Sequence, residues 1–289
     1  MSAPRAFVIV ALAAAFLVPP AAAHPGSGIV ADKRGQIYFI DTGAGVWKLD
    51  AKGALTQVPG PSFHWMTIDA DNRFAKSKFP SGPDGEITRI GKRPSLIVAS
   101  DFPLVVGADG NLYFPSRTRA GGVDLLMTTP SGRTSVFARV PLPYLNGIAA
   151  ATDGALYVTG NDSIRKIDAT GLVTVVAAVM PIQGCGAFPG ISASEGPFLR
   201  GLDVDTQGTI YVAATGCGRV LKITPDGKAE TLLKLDSPWS PTAVVHVGTD
   251  LYVLEYLLTA GEDRKSWVPR VRKIAADGKS TVLATVTRR

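Results

Sequence analysis

Residues 201–233 read GLDVDTQGTIYVAATGCGRVLKITPDGKAETLL, and the pattern in this stretch decides the fold. An apolar run meets a turn at Gly208, an alternating strand carries Tyr211, and a third strand ends at Ile223 before a turn at Gly227. The same order of strands and turns recurs about every 40 residues, which is the period of a four-stranded β-propeller blade. The sequence therefore predicts an all-β fold made of repeated blades.

Six copies of this unit can be counted along the chain. A tyrosine recurs in the second strand of five copies, and the second copy instead carries the alternating segment Arg73–Phe79, which we predict as its second strand. We therefore predict a six-bladed β-propeller of four-stranded antiparallel blades, closed by packing of the last blade on the first without an exchanged strand. The inner strands are predicted to begin near Gly28, Trp65, Pro103, Gly147, Gly201 and Thr242, and the recurring tyrosines are Tyr38, Tyr113, Tyr157, Tyr211 and Tyr252.

The first 23 residues have the pattern of a secretory signal peptide. Arg5 precedes an apolar stretch over residues 6–18, and small residues at 21–23 offer a cleavage site. The stretch is shorter than the roughly 20 residues of a membrane span, although an uncleaved N-terminal anchor is the alternative. We expect residues 24–289 to form one propeller domain that is periplasmic or secreted, with no stable membrane insertion after cleavage.

Charge and cysteine content narrow the possible partners. The chain has a formal net charge of +6, but its lysines and arginines are scattered without a basic run, which disfavours nucleic-acid binding. Cys185 and Cys217 in an exported chain predict one disulfide, with a redox or metal-binding pair as the alternative. We expect a monomer whose partner is a small molecule or a peptide.

A binding site is predicted where the inner strands begin, because loops from all blades meet there around the central channel. His64 and Arg200 each directly precede an inner strand, and Glu255 ends a second strand. We predict a catalytic or ligand role for these three, with His64 as a general base and Arg200 stabilising negative charge. Each also has a structural alternative as a core histidine, a structural ion pair or a strand cap. The ligand-binding candidates are Asp41, Phe102, Tyr144, Asn146 and Trp239.

The motifs Gly201-Leu202-x-x-Asp205 and Gly208-x-Ile210-Tyr211-Val212 resemble NHL repeats and the six-bladed propellers of the SMP-30/gluconolactonase group. The resemblance implies a divalent cation at the channel mouth, and Asn146 matches the position of a metal-binding Asn in that group. Arg200, however, stands where the group has an acidic ligand, and Ser27-Gly28 stands where it has a Glu. Because a guanidinium cannot ligate a cation, we predict no metal and no cofactor.

Two functions follow from this candidate site. The first is binding of a small anionic or aromatic ligand, or a peptide, at the channel mouth. The alternative is a hydrolase or lyase of the lactonase or esterase type that uses the same pocket, with or without a metal. A purely structural repeat protein is the third possibility. The sequence alone leaves open whether the protein is an enzyme.

Overall fold

The computed structural model describes residues 25–80, 85–118, 121–178, 182, 185, 196–257 and 266–287. Within these ranges the chain forms six antiparallel sheets that follow one another in sequence. We number them as blades 1 to 6. The predicted signal peptide, His24 and most of the long segment between residues 179 and 195 lie outside the described residues.

Blades 1, 3, 4, 5 and 6 have four strands each, in the order in which the chain supplies them, as predicted. The first three blades comprise β1 (Ile29–Ala31), β2 (Ile37–Asp41), β3 (Gly45–Leu49), β4 (Leu55–Val58); β5 (Trp65–Asp69), β6 (Ile87–Ile90), β7 (Ser95–Ala99); and β8 (Val105–Val106), β9 (Leu112–Arg117), β10 (Val123–Thr128), β11 (Thr134–Val140). The last three comprise β12 (Gly147–Ala150), β13 (Leu156–Thr159), β14 (Ser163–Ile167), β15 (Val173–Ala178); β16 (Leu199–Val204), β17 (Ile210–Ala214), β18 (Arg219–Ile223), β19 (Ala229–Lys234); and β20 (Trp239–Val247), β21 (Asp250–Leu257), β22 (Val268–Ile274), β23 (Ser280–Thr285).

The first strands of the blades form a closed ring around the axis. Each lies against its two neighbours, from β1 through β5, β8, β12 and β16 to β20 and back to β1. Two glycines explain how the strands come so close together. A Cβ on Gly147 would lie 2.4 Å from the Arg200 carbonyl, and one on Gly201 would lie 2.4 Å from the Ala243 side chain. The ring therefore requires glycine where the inner strands converge.

Blade 6 packs on blade 1 to close the ring, as predicted, because each sheet holds only consecutive strands. The Tyr256 hydroxyl donates a 2.6 Å hydrogen bond to the Ile40 carbonyl across this junction. Side chains of both blades also share one buried cluster that includes Phe39 and Trp267. Burial of such large apolar side chains contributes about 2–3 kcal/mol each, so packing supplies the stability of the closure.

Blade 2 departs from the prediction of four strands. In its described residues three strands pair in the order β5-β7-β6, so the last strand of the unit, β7, lies beside the inner strand. The predicted second strand Arg73–Phe79 was wrong, because this segment folds as a series of turns. The Asp69 carboxylate accepts the backbone N–H groups of Arg73 and Phe74 at 2.8 Å and holds the turn, while Phe74 is fully buried. A local carboxylate cap therefore overrides the alternating pattern.

Each recurring tyrosine occupies the same register position and faces the next blade. Tyr157 pairs with Lys166 across β13 and β14, and the Lys166 ammonium lies 5.6 Å from the Tyr157 ring centre. Tyr38, Tyr211 and Tyr252 have a lysine as the same cross-strand neighbour. Each tyrosine thus packs its apolar ring in the interface between two blades and keeps its polar hydroxyl at the edge of that interface. Across the described ranges, we find no helix that is long and apolar enough to cross a membrane.

Candidate functional site

Arg200 lies at the axis of the propeller, at the end where the inner strands begin. It stands on β16 of blade 5, and its guanidinium carbon is 5.6 Å from the ring centre of Trp65 on β5. Blades 2 and 5 are opposite each other in a ring of six, so the Arg200 side chain reaches across the channel. The Phe198 ring lies 6.0 Å from the same carbon. Two aromatic rings therefore flank this cation at a distance at which cation–π attraction operates.

The guanidinium of Arg200 is held in a poorly solvated position. The residue is only 3% exposed, and burial lowers the pKa of Arg200 to about 10, while the nearby Tyr256 hydroxyl opposes this change. Burial, followed by the negative charge of Asp41, raises the pKa of Tyr256 well above its usual value, and Arg200 acts in the opposite direction. Arg200, Tyr256 and Asp41 thus lie within electrostatic reach of one another, and Arg200 stays protonated at neutral pH.

His64 is buried at the start of the inner strand of blade 2, and its ring orientation is fixed. Its Nδ1 lies in hydrogen-bonding contact with the Ser100 carbonyl and 3.6 Å from an Asp101 carboxylate oxygen. A carbonyl can only accept, so Nδ1 carries a proton. The backbone carbonyl of His64 accepts the N–H groups of Ser27 and Gly28 at 2.8 and 3.1 Å. His64 therefore ties blade 2 to blade 1 through its backbone.

Asp41 ends β2 of blade 1 and is fully buried together with Thr42. One of its carboxylate oxygens accepts the Gly43 N–H at 2.8 Å, and its carbonyl accepts the Ala44 N–H at 3.1 Å. Asp41 therefore shapes the turn between β2 and β3 while its charge acts on Tyr256. The side chain combines the predicted strand-capping role with a position beside the axis.

Glu255 is also fully buried, and it is held by arginines of its own blade. Arg270 and Arg272 each donate from Nε to a different Glu255 carboxylate oxygen, at 2.5 and 2.6 Å. The Arg270 guanidinium in turn stacks on the Trp239 ring at 3.6 Å. These contacts give Glu255 the structural alternative of an ion pair, with Arg270 and Arg272 as its partners. A catalytic role for Glu255 stays a prediction.

Asn146 and Tyr144 belong to a polar group on blade 4. The Asn146 amide donates to the Asn161 side-chain oxygen at 2.9 Å, and the Asn161 amide contacts the Tyr144 hydroxyl. Asn161 also accepts the Leu199 N–H through its carbonyl, at 2.9 Å. Because Leu199 directly precedes Arg200, this group positions the strand that carries the guanidinium. Both Tyr144 and Asn146 are half-buried at the mouth of the channel.

Phe102 lies in the apolar core between blades 2 and 3, away from the polar group at the axis. Its ring stacks on Phe114 with 5.8 Å between centres, and the residue is 9% exposed. Phe102 therefore packs as a core side chain, and its predicted contact with a ligand stays a prediction.

The predicted disulfide between Cys185 and Cys217 is present, with a sequence separation of 32. Cys217 ends the short 3-10 turn Thr215–Cys217, which begins just after β17. Thr215 donates from its hydroxyl to the Pro241 carbonyl at 2.8 Å, so this turn also joins blade 5 to blade 6. The bond therefore joins Cys185 to the turn that follows β17 in blade 5, the blade that carries Arg200.

Several residues of this site were not predicted from the sequence. Phe198, Asn161, Arg270 and Arg272 contact the predicted residues although none stood out as a motif. Phe198 adopts a positive φ of 46°, which a large side chain rarely does. Arg270 and Arg272 alternate along β22 beside Glu255, and this spacing is the one signal that could have indicated them. Among the described residues, no group of three or more His, Cys, Asp or Glu side chains is arranged to hold a metal ion.

Solved structures of other proteins have the same architecture. Virginiamycin B lyase from Staphylococcus aureus superposes with a TM-score of 0.52 at 17% identity, over 89% of this chain and 83% of that chain. Regucalcin from Agrobacterium tumefaciens, described as a calcium-binding protein, gives 0.55 at 14% identity over 81% and 83%. A protein described as a putative gluconolactonase gives 0.54 at 18% identity over 78% and 84%. The chain shares their fold.

The likeness concerns the fold alone, because the identities are low. No family model matches the sequence, and no curated protein matches it. The resemblance to the SMP-30/gluconolactonase group in the blade motifs is therefore confirmed as a shared propeller architecture. Function has to be argued from the residues at the axis.

Proposed function

We propose that this protein is an exported β-propeller that binds a small ligand through an anionic group at the channel mouth, with Arg200 as the recognition residue. The observation that carries this proposal is the position of one guanidinium at the axis between the Trp65 and Phe198 rings. A ligand that brings a carboxylate beside an aromatic or apolar group would match both features. The disulfide between Cys185 and Cys217 supports export, because such bonds persist in oxidising compartments.

The electrostatics of the axis favour an anion as the ligand. Burial lowers the pKa of Arg200, so the surroundings of the guanidinium disfavour its charged form relative to water. An anion that forms a charge-assisted hydrogen bond with the guanidinium would offset this cost. Because Arg200 is only 3% exposed, a ligand would reach it with a terminal group. The half-buried Tyr144 and Trp239 at the mouth would then contact the remainder of the ligand.

Isothermal titration with benzoate, phenylacetate and a short peptide carrying a free C-terminal carboxylate tests the proposal. We expect binding of at least one probe and at least roughly 30-fold weaker binding to Arg200→Met, since loss of a buried charge partner costs about 2 kcal/mol or more. Arg139→Met is the matched control, because the Arg139 side chain is 86% exposed. The C-amidated form of the same peptide should bind as weakly as the variant does.

The proposal fails if none of the three probes binds at millimolar concentration, or if Arg200→Met binds them as the unchanged protein does. Equal loss in Arg200→Met and Arg139→Met would show a general charge effect and would also reject a specific site. Export is tested separately, by N-terminal sequencing of the protein recovered from the periplasm or the medium. A mature chain that begins at His24 is the expected result.

A metal-independent hydrolase or lyase is the second candidate, and the His64 tautomer favours it. With Nδ1 bound to the Ser100 carbonyl, Nε2 is the ring atom able to accept a proton. The names virginiamycin B lyase and gluconolactonase among proteins of this fold make a lactone or cyclic ester the substrate class to test first. Turnover of an aromatic lactone that His64→Gln abolishes and the control variant Arg139→Met retains would establish this function. Turnover that survives in His64→Gln would reject His64 as the base.

A cation site of the kind implied by the regucalcin description is less compatible with these residues. The Asn146 amide nitrogen donates to Asn161, and the guanidinium of Arg200 stands at the axis. A guanidinium has no lone pair to offer a cation and repels it. Metal analysis of the purified protein, together with unfolding in the presence and absence of chelator, tests this argument.

A further inference from the structure

Blade 5 departs from the repeat at the end of its inner strand, on the opposite face from Arg200. In β-sheets, residues paired across neighbouring strands point to the same face. The residue paired with the recurring tyrosine is apolar in the other four-stranded blades, whereas in blade 5 it is Asp203, paired with Tyr211. The apolar counterparts are Val30, Val105, Ala149 and Val245.

Blade 6 departs from the repeat at the adjoining position, and its departure faces that of blade 5. The residue that follows the tyrosine partner on the inner strand is His246 in blade 6. Its counterparts in the other four-stranded blades are Ala31, Val106, Ala150 and Val204. The Asp203 carboxylate accepts the backbone N–H of His246 at 2.7 Å, and the His246 and Tyr211 rings stack 5.6 Å apart with only 10° between their planes. The two exceptions to the repeat therefore meet at one interface.

A groove of about 600 Å³ opens at this interface and has the size of a small-ligand site. Its wall includes the Tyr211 and His246 rings, and its apolar lining includes Leu251 and Ile274, which are 3% and 4% exposed. Neutral hydrogen-bonding side chains lie at the rim, from Thr206, Gln207 and Thr249. The groove thus combines aromatic and apolar surfaces on one side with hydroxyl and amide groups on the other.

The charged side chains of the groove are already engaged within the protein. The Lys222 ammonium lies 3.4 Å from Glu230. Asp205 accepts the backbone N–H groups of Gln207 and Thr209 at 2.9 and 2.8 Å through one oxygen. Its other oxygen lies 3.4 Å from the Tyr211 hydroxyl. Because both charged groups already have partners within the protein, a neutral ligand fits the groove better than a charged one.

We infer that the groove between blades 5 and 6 binds a neutral pyranose sugar. A pyranose ring has a flat face of C–H groups that packs on the electron-rich face of an aromatic ring, and a girdle of hydroxyls that donate and accept hydrogen bonds. The Tyr211 and His246 rings supply the aromatic surface, and Thr206, Gln207 and Thr249 supply the hydrogen-bonding partners. This site is separate from the channel mouth and does not depend on the function proposed there.

Saturation-transfer NMR and isothermal titration with the methyl glycosides of glucose, galactose and mannose test the inference. His246→Val restores the residue type of the other blades, so the variant should fold, and Tyr211→Ala removes the second ring. We expect millimolar binding of at least one glycoside to the unchanged protein and at least tenfold weaker binding to both variants. Tyr157→Ala is the matched control, because Tyr157 has the same register position in blade 4 beside Ala149 and Ala150. The Tyr157→Ala variant should bind the glycoside with the same affinity as the unchanged protein.

The absence of binding by all three glycosides at 50 mM, a concentration set by the roughly millimolar affinity expected of a small ligand, would overturn the inference. Binding that survives in both His246→Val and Tyr211→Ala would overturn the site, and so would equal loss in Tyr157→Ala. Tighter binding of benzylammonium than of any glycoside, abolished by the same two variants, would overturn the ligand class. The Arg200→Met variant should bind the glycoside with the same affinity as the unchanged protein. A failure of the proposal for the channel mouth can therefore be distinguished from a failure of the inference for this groove.

Discussion

Replacing Arg200 with methionine should stabilise the protein while it abolishes ligand binding. Burial lowers the pKa of Arg200 to about 10, more than two pH units below its ordinary value. This difference means that holding the guanidinium charged in the folded protein costs about 3 kcal/mol. Methionine keeps most of the volume and needs no hydration. Loss of the cation–π contacts with Trp65 and Phe198 returns about 1–2 kcal/mol, which leaves a net gain of about 1–2 kcal/mol.

Urea unfolding at pH 7.5 measures this gain directly, and Tm should rise by roughly 3 °C for each kcal/mol. The pH dependence follows from the same shift. Because the folded-state pKa of Arg200 lies below that of the unfolded chain, the cost is fully present below pH 10 and is relieved as pH rises above it. Between pH 6 and 9 the difference between Arg200→Met and the unchanged protein should therefore be constant.

Arg270→Met is a second variant to compare, because the Arg270 guanidinium bonds to the buried Glu255 carboxylate. The change leaves the fully buried Glu255 with Arg272 alone and removes the stack on Trp239. We expect it to destabilise the protein by about 2–4 kcal/mol. If Arg200→Met destabilises the protein by a similar amount, the Arg200 guanidinium is a structural element of the closed axis. The argument for an anion site would then be refuted.

Three further predictions concern the scaffold. Changing Cys185 and Cys217 to serine should lower the free energy of unfolding by about 3–4 kcal/mol, as chain entropy predicts for a separation of 32 residues. Reduction of the unchanged protein with dithiothreitol should give the same loss in urea unfolding. Gly147→Ala should destabilise the protein by about 1–3 kcal/mol, because its Cβ would lie 2.4 Å from the Arg200 carbonyl. Gly160→Ala should cost less in the same assay, because its Cβ would meet only side-chain atoms, of Leu142 at 3.2 Å and of Ser163 at 3.4 Å. Burial raises the pKa of Asp203 to about 6, so the folded state holds a proton that the unfolded chain releases, and the stability contributed by this group falls as pH rises from about 4 through 6. The free energy of unfolding of Asp203→Asn should therefore rise by roughly 2 kcal/mol, relative to that of the unchanged protein, between pH 4.5 and 7.5. A difference that does not depend on pH would contradict this assignment.

The propeller could be predicted from the sequence because the repeat acts as its own check. Five tyrosines at one strand position and a glycine turn after each third strand all indicate the same four-stranded blade, and the observed strands match this prediction outside blade 2. Blade 2 could not be predicted, because its outcome depends on Asp69. That carboxylate caps two backbone N–H groups and forms a turn where alternation alone indicates a strand. Side-chain capping leaves little trace in a periodicity argument.

The axial site could be predicted only in part, since register gives positions and not contacts. Counting from each inner strand correctly brings His64 and Arg200 to one end of the channel. It cannot tell that Glu255 bonds to Arg270 and Arg272, because that choice depends on which of several nearby cations reaches the carboxylate. Nor can it tell that Phe102 turns into the core toward Phe114. Burial of a given side chain in a blade interface is decided by packing in three dimensions.

The residues that break the repeat make the strongest case for function in this molecule. Asp203 and His246 stand at inner-strand positions that are small or apolar in the other four-stranded blades, and Arg200 stands where blade 4 has Asn146. Burial moves the pKa of Arg200 and that of Asp203 in the direction that disfavours the charged form. A scaffold that repeats the same blade has no structural need for such exceptions. Arg200 and Asp203 lie toward opposite ends of the inner strand of blade 5, and His246 of blade 6 contacts Asp203, which argues that each end of this strand serves a ligand of its own.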